Sequence, residues 1–97
     1  MASIYEENAK VFKALGDEKR LRILNLLQDG EKCACVLTDQ LNIPQSSLAY
    51  HMKILCESDI VSSRPEGKWT HYKICDNGSF QAKELLREIT TPNKAGK

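Results

Sequence analysis

Between residues 34 and 74 the spacing of apolar residues changes from a helical period to an alternating one. That change restricts the fold more than any other feature of the chain. From about Ala34 to Leu41 the pattern is helical, with Leu37 and Leu41 on one face. Asn42 tolerates the left-handed backbone of a tight turn. Ile43 and Pro44 then lead into another helix, since proline suits the first helical position. This helix, to about Ser58, places Leu48, Met52 and Leu55 at i, i+4 and i+7. Two short helices joined by so brief a turn predict a helix-turn-helix. Ile60 to Arg64 and Lys68 to Ile74 then alternate around Pro65-Glu66-Gly67, which predicts a β-hairpin with basic residues near its tip.

The flanks are helical. Ile4, Val11, Phe12 and Leu15 are spaced for a helix over roughly Ser3 to Leu15, which Gly16 closes, and Asp17 caps the next. That second helix runs to about Gln28, with Leu21, Leu24 and Leu27 on one face and Ile23 and Leu26 beside them. Asp29 and Gly30 end it. After Asp76 to Gly78 break the strand, a last helix from about Ser79 to Ile89 carries Ala82, Leu85, Leu86 and Ile89 as a seam. The predicted fold is mainly α with a β-hairpin wing, a winged helix-turn-helix in the order α-α-α-α-β-β-α. It forms one DNA-binding and dimerisation domain over residues 1–89, with 90–97 as a disordered tail.

A chain of 97 residues buries a modest core, so pairing with a second copy is expected. The longest apolar run, Cys33 to Leu37, has five residues, far too few to span a bilayer. Glu6 and Glu7 deny the N-terminus an apolar export segment, and the expected location is cytoplasmic with no membrane partner. The net charge of +1 decides nothing about nucleic acid, because phosphate binding depends on which face carries Lys and Arg.

In a helix-turn-helix the second helix enters the major groove with its N-terminal residues toward base edges. Once the buried stripe is removed, Gln45, Ser46, Ser47, Ala49, Tyr50 and Lys53 remain for double-stranded DNA. Gln suits an adenine edge, Ser takes several partners and Lys53 suits a phosphate. Arg64 and Lys68 flank the Glu66-Gly67 turn, within reach of phosphates or the minor groove. Trp69, His71 and Tyr72 are expected to brace the wing, and His51, three residues after Leu48, to be a hydrogen-bonded structural histidine. A Gly-rich phosphate loop and a nucleophile–base arrangement are both missing from the sequence, which argues against an enzyme.

Ala14-Leu15-Gly16-Asp17-Glu18-Lys19-Arg20-Leu21-Arg22-Ile23-Leu24 resembles the opening signature of the ArsR/SmtB repressors. Gln45 to Leu55 resembles their recognition helix, and Arg64 to Tyr72 their wing. The resemblance covers roughly residues 8 to 75 and implies a homodimeric winged-helix repressor whose outer helices form the dimer interface. Val11, Phe12, Leu15, Ala82, Leu85, Leu86 and Ile89 would then lie in it. Pro44 and Ala49 stand where the family usually has serine; the first loses a hydroxyl cap and the second a DNA contact.

Cys33-Ala34-Cys35-Val36-Leu37 is similar to the Cys-Val-Cys motif of the arsenic-sensing branch. The resemblance implies that Cys33 and Cys35 bind the inducer. Thr38 stands where that branch often has a third cysteine, so the third ligand stays open. Cys56 and Cys75 are candidates only if the fold brings them near, and buried packing is the simpler reading of each. Two thiolates select soft acceptors, hence As(III) or Sb(III), with Cd, Pb or Zn as lesser options and no permanent cofactor. Lys32 would favour the thiolates.

Residues i and i+2 of a regular helix point about 200° apart. Convergence of both sulfurs on one centre is therefore expected to fray the helix start, the distortion spreading through Leu37 and Leu41 to the recognition helix. Oxidation of the same two cysteines, making the protein a redox-sensing repressor, is the alternative. The last helix has no His and no Asp from Ser79 to Ile89, which argues against a zinc site there.

Overall fold

The computed structural model describes residues 3–93, as five helices and a three-stranded antiparallel sheet. Helix α1 (Ile4–Leu15) opens with a reciprocal capping box between Ser3 and Glu6, and its last turn closes on Gly16, whose N–H donates to Lys13. Helix α2 (Glu18–Leu26) is capped by Asp17, which accepts from the backbone N–H groups of Lys19 and Arg20. A two-residue strand β1 (Lys32–Cys33) leads directly into α3 (Ala34–Leu41). Asn42, at φ 54 and ψ 50, makes the predicted left-handed turn into α4 (Gln45–Glu57). Strands β2 (Val61–Glu66) and β3 (Trp69–Ile74) follow, and α5 (Asp76–Thr90) ends the described chain.

The core forms where α1 to α4 meet the base of the hairpin. Ala14, Ile23, Leu27, Leu37, Leu48, Met52, Leu55, Ile60 and Val61 are all buried there. Helix α2 contributes Ile23, and its C-cap residue Leu27 is buried too, while Leu21 of the expected stripe stays exposed. Deleting one of the fully enclosed leucines, such as Leu37, would cost about 3 kcal/mol from lost burial plus the cavity left behind.

Four local expectations need correction. Pro44 is the cap of α4 and not its first helical residue; its φ of −64 is combined with an extended ψ of 155. The hairpin turn is the two residues Gly67 and Lys68, because Glu66 pairs with Trp69 and Pro65 with Thr70. Gly67, at φ 63, supplies the left-handed backbone such a turn requires. Proline is tolerated in β2 because that strand lies at the sheet edge, the order being β1-β3-β2.

The third correction concerns α5, which begins at Asp76 and so takes up the predicted breaker Gly78. A Cβ at Gly78 would lie 1.5 Å from the Asp59 carbonyl oxygen, so glycine is needed where α5 crosses the α4–β2 turn. The fourth is β1, which adds a strand to the hairpin. Helix α5 continues through Thr90, the first residue of the expected tail, and 94–97 lie outside the described residues.

Candidate nucleic-acid interface and thiol pair

Helix α4 divides as the spacing requires. Leu48, His51, Met52 and Leu55 are buried, while Gln45, Ser46, Ala49, Tyr50 and Lys53 are exposed and Ser47 is half-buried. Tyr50 is 58% exposed. Gln45, Ala49 and Lys68 line one crevice of about 150 Å³ together with Trp69 and Tyr72, so the helix face and the wing tip form a continuous surface. Trp69 and Tyr72 pack against the core and support the wing. His71 does not brace the wing in that way; it lies 3.9 Å from Glu31 and 3.6 Å from Glu66.

His51 is the structural histidine expected. Arg20, itself 5% exposed, donates to His51 Nδ1 at 2.9 Å and to the carbonyls of Ala14 and Lys13 at 3.0 Å each. A guanidinium can only donate, so Nδ1 accepts and the neutral ring carries its proton on Nε2. Burial pushes the imidazole below its ordinary value, with Asp17 pulling the other way and Arg20 adding to the effect of burial. The cluster ties the end of α1, the start of α2 and the middle of α4 together.

Cys33 lies outside its helix. It is the last residue of β1 and the cap of α3, with extended backbone at φ −67 and ψ 145, and its sulfur accepts from the N–H of Cys35 at 3.2 Å. Its Cα is 5.2 Å from that of Cys35, and the two sulfurs are joined as a disulfide. The angular argument that required the helix to fray is thereby overturned. The 200° divergence holds for two residues inside a regular helix, whereas here the first has strand geometry and α3 is intact from Ala34. Both cysteines are half-buried and neither is sealed in the core.

Lys32 pairs with Asp29, and strand alternation turns its side chain to the opposite face from Cys33. It is therefore not the thiolate's neighbour that sequence adjacency suggested. Cys56 is half-buried against the core and hydrogen-bonded to the Ser63 side chain, and burial pushes its thiol up. Cys75 is the cap residue of α5 at the base of the hairpin, its N–H donating to the Ile60 carbonyl. Among the described residues no three of His, Cys, Asp and Glu gather into a group that could hold a metal. Neither Cys56 nor Cys75 thus completes a site with Cys33 and Cys35.

All the expected dimer residues except Ile89 border two clefts between the outer helices. Phe12, Leu15, Ala82 and Leu86 line an apolar one of about 320 Å³, and Val11, Ala82 and Leu85 a more polar one of about 540 Å³. Leu86 and Ile89 are 51% and 56% exposed, and among the described residues Gly78 alone is buried in α5. The last helix carries an apolar seam that its own chain leaves largely uncovered.

Sequence reasoning passed over Glu31. Both its carboxylate oxygens accept from Arg64, at 2.8 Å from Nε and 2.7 Å from Nη2, and Glu66 lies 2.8 Å from the same Nη2. Arg64 holds the Glu31 carboxyl below its ordinary value, and both carboxylates raise that of Arg64. A contact spanning 33 positions leaves no periodic trace. The two-residue strand that makes it possible is too short to show alternation.

The sequence profile described as "Bacterial regulatory protein, arsR family" matches residues 17–63. The HTH-type transcriptional regulator MJ1325 of Methanocaldococcus jannaschii is 42% identical over 86 residues, 88% of this chain and 93% of that protein. The arsenical resistance operon repressor of Bacillus subtilis is 42% identical over 66 residues, 67% of this chain and 63% of the repressor. Among solved structures, the homodimeric winged helix-turn-helix DNA-binding domain Mb0332 of Mycobacterium bovis superposes with a TM-score of 0.72 at 24% identity. That match covers 92% of this chain and 89% of the domain.

Proposed function

The chain belongs to the arsR family of bacterial regulatory proteins, and from that premise we propose a metalloid-responsive repressor. It is cytoplasmic, binds operator DNA as a homodimer, and releases it when As(III) or Sb(III) is captured by Cys33 and Cys35. The observation that carries this reading is the convergence of two half-buried sulfurs at the entry of the first helix of the helix-turn-helix. The Bacillus relative's role in arsenical resistance points to the same ligand class. So does the softness of a thiol pair, for which Cd, Pb and Zn are weaker alternatives.

The chemistry is a ligand exchange. In the reduced protein two thiols displace two hydroxides from arsenous acid, so two As–S bonds form, two As–O bonds break and two waters leave. Hydroxide or a small thiol keeps the third position, since Thr38 offers no sulfur. DNA recognition falls to Gln45, Ser46, Ser47, Ala49, Tyr50 and Lys53 on α4 and to Arg64 and Lys68 on the wing. Dimerisation falls to the seam of Val11, Phe12, Leu15, Ala82, Leu85, Leu86 and Ile89; the homodimeric Mycobacterium neighbour supports it.

Titration of the reduced operator complex with arsenite, antimonite, cadmium and zinc tests the proposal, arsenite and antimonite being expected to act at the lowest concentrations. Cys33→Ser should bind DNA as the wild type does, because serine is itself a good helix cap. It should no longer respond to arsenite, and a variant that still releases DNA on arsenite would refute the site.

The joined sulfurs favour a second reading, a thiol-based redox repressor. There a hydroperoxide takes two electrons from the pair, its O–O bond breaks, the S–S bond forms, and an alcohol and water leave. Release by hydroperoxide but not by arsenite, at equal concentrations, would select this reading.

A further inference from the structure

Strand β1 places one member of the thiol pair against the central strand of the wing. Cys33 pairs with His71 on the central strand, and Arg64 pairs with the same His71 from the other side. Directly opposed residues of antiparallel strands project from one face of the sheet. Cys33, His71 and Arg64 therefore form one row across three strands. Glu31, two positions before Cys33, reaches over that row to Arg64.

Arg64 is thus held by a fork-to-fork pair with Glu31 while Glu66 takes the second side of Nη2. Such a bidentate carboxylate presents to a guanidinium the geometry a phosphate would present. Arg64, Glu31 and Glu66 together carry a net negative charge, beside the wing strand β2 that faces DNA in the proposed complex. A phosphate could engage Arg64 only by displacing a carboxylate.

We propose that Glu31 is an intramolecular stand-in for a DNA phosphate: it withholds Arg64 from the duplex, and its place beside Cys33 makes that hold depend on the state of the thiol pair. The inference rests on the proposed DNA contact of Arg64 and on the inducer site at Cys33 and Cys35. Repositioning Cys33 moves Glu31 through the short β1 backbone between them, without any distortion of α3. Transmission from thiols to wing is therefore direct, where the route through Leu37 would have to deform a fully enclosed core.

The test uses a duplex selected from a random pool by the wild-type protein, with reduced wild type, Glu31→Gln, Arg64→Gln and the double variant. The charge-neutral glutamine keeps the shape of Glu31 but weakens its hold. Glu31→Gln is expected to bind the duplex about fivefold more tightly at low salt, as an exposed but bidentate ion pair would allow. The gain should vanish in the Arg64→Gln background, and arsenite should release less of the duplex from Glu31→Gln than from wild type. Unchanged or weaker binding by Glu31→Gln would overturn the proposal. So would a gain that survives loss of Arg64, which would reflect removal of one negative charge from the surface, or an unaltered arsenite response. If Arg64→Gln alone binds as wild type does, the wing contact itself fails and takes the proposal with it, an outcome that is separable because it does not involve Glu31.

Discussion

Arg20 and Arg64 each sit beside a histidine and each engage their guanidinium in several hydrogen bonds, but they do so in opposite surroundings. Arg20 is 5% exposed and bonded to two carbonyls and an imidazole, three neutral acceptors. The Arg64 side chain is 52% exposed and bonded to two carboxylates. Removing either arginine leaves its acceptors behind, and the consequence depends on whether water can replace the lost donor. At Arg20 it cannot, so the cluster is a brace for the body. At Arg64 it can, and so could a phosphate, which makes that cluster exchangeable.

The largest effect that could break this contrast is on stability. Arg20→Met keeps the length of the side chain but removes the donor to the Ala14 carbonyl and to His51 Nδ1 within the fold, while the Lys13 carbonyl keeps the Gly16 N–H. A loss of about 3 kcal/mol is expected, as for other buried polar clusters deprived of one partner. Urea denaturation measures it; a loss below about 1 kcal/mol, within the range of an ordinary surface change, would show the cluster to be dispensable.

Next in size is the complementary experiment on the wing. Arg64→Gln should leave stability within about 0.5 kcal/mol of wild type, since exposed ion pairs contribute little. It should nonetheless weaken operator binding roughly tenfold, the worth of one charge-assisted contact. A matching drop in the salt dependence of binding, by about one counterion, would mark the lost partner as a phosphate. Equal losses of stability and affinity would erase the distinction between the two arginines.

The contrast also explains what could be read from the chain alone. Helices α1 to α4 were legible because burial imposes a period: Leu48, Met52 and Leu55 had to share a face, and the exposed residues proposed to face DNA followed by subtraction. His51 was readable for the same reason, its place beside that stripe. The cysteine pair was legible as a motif, but its geometry was not, because one residue of strand before Ala34 changes where the Cys33 sulfur points. Gly78 resembled a helix breaker because the Asp59 backbone it must clear lies in another element. Glu31 was invisible: an exposed carboxylate answers to no periodicity, and its partner is 33 residues away.

The smallest effect separates the two clusters by pH. His51 is held neutral in the folded protein by burial, so its folded value lies below the ordinary one, near 6.5. Above pH 6.5 the ring is neutral in both folded and unfolded chains, and its contribution is fully present. As pH falls below about 6.5 the unfolded chain binds the proton first, and stability declines until the folded value is passed. The carboxyls of Asp17, Asp29 and Glu31 are all held below their ordinary values, so their titration lies beneath that window. Thermal unfolding from pH 7.5 to 5 should show this decline in wild type. His51→Asn places an amide oxygen near the position of Nδ1 and does not titrate, so it should keep the Arg20 bond and lose the decline. A variant with an unchanged pH profile would mean that the slope arises elsewhere, and that the imidazole near Arg20 is not the proton acceptor its surroundings make it.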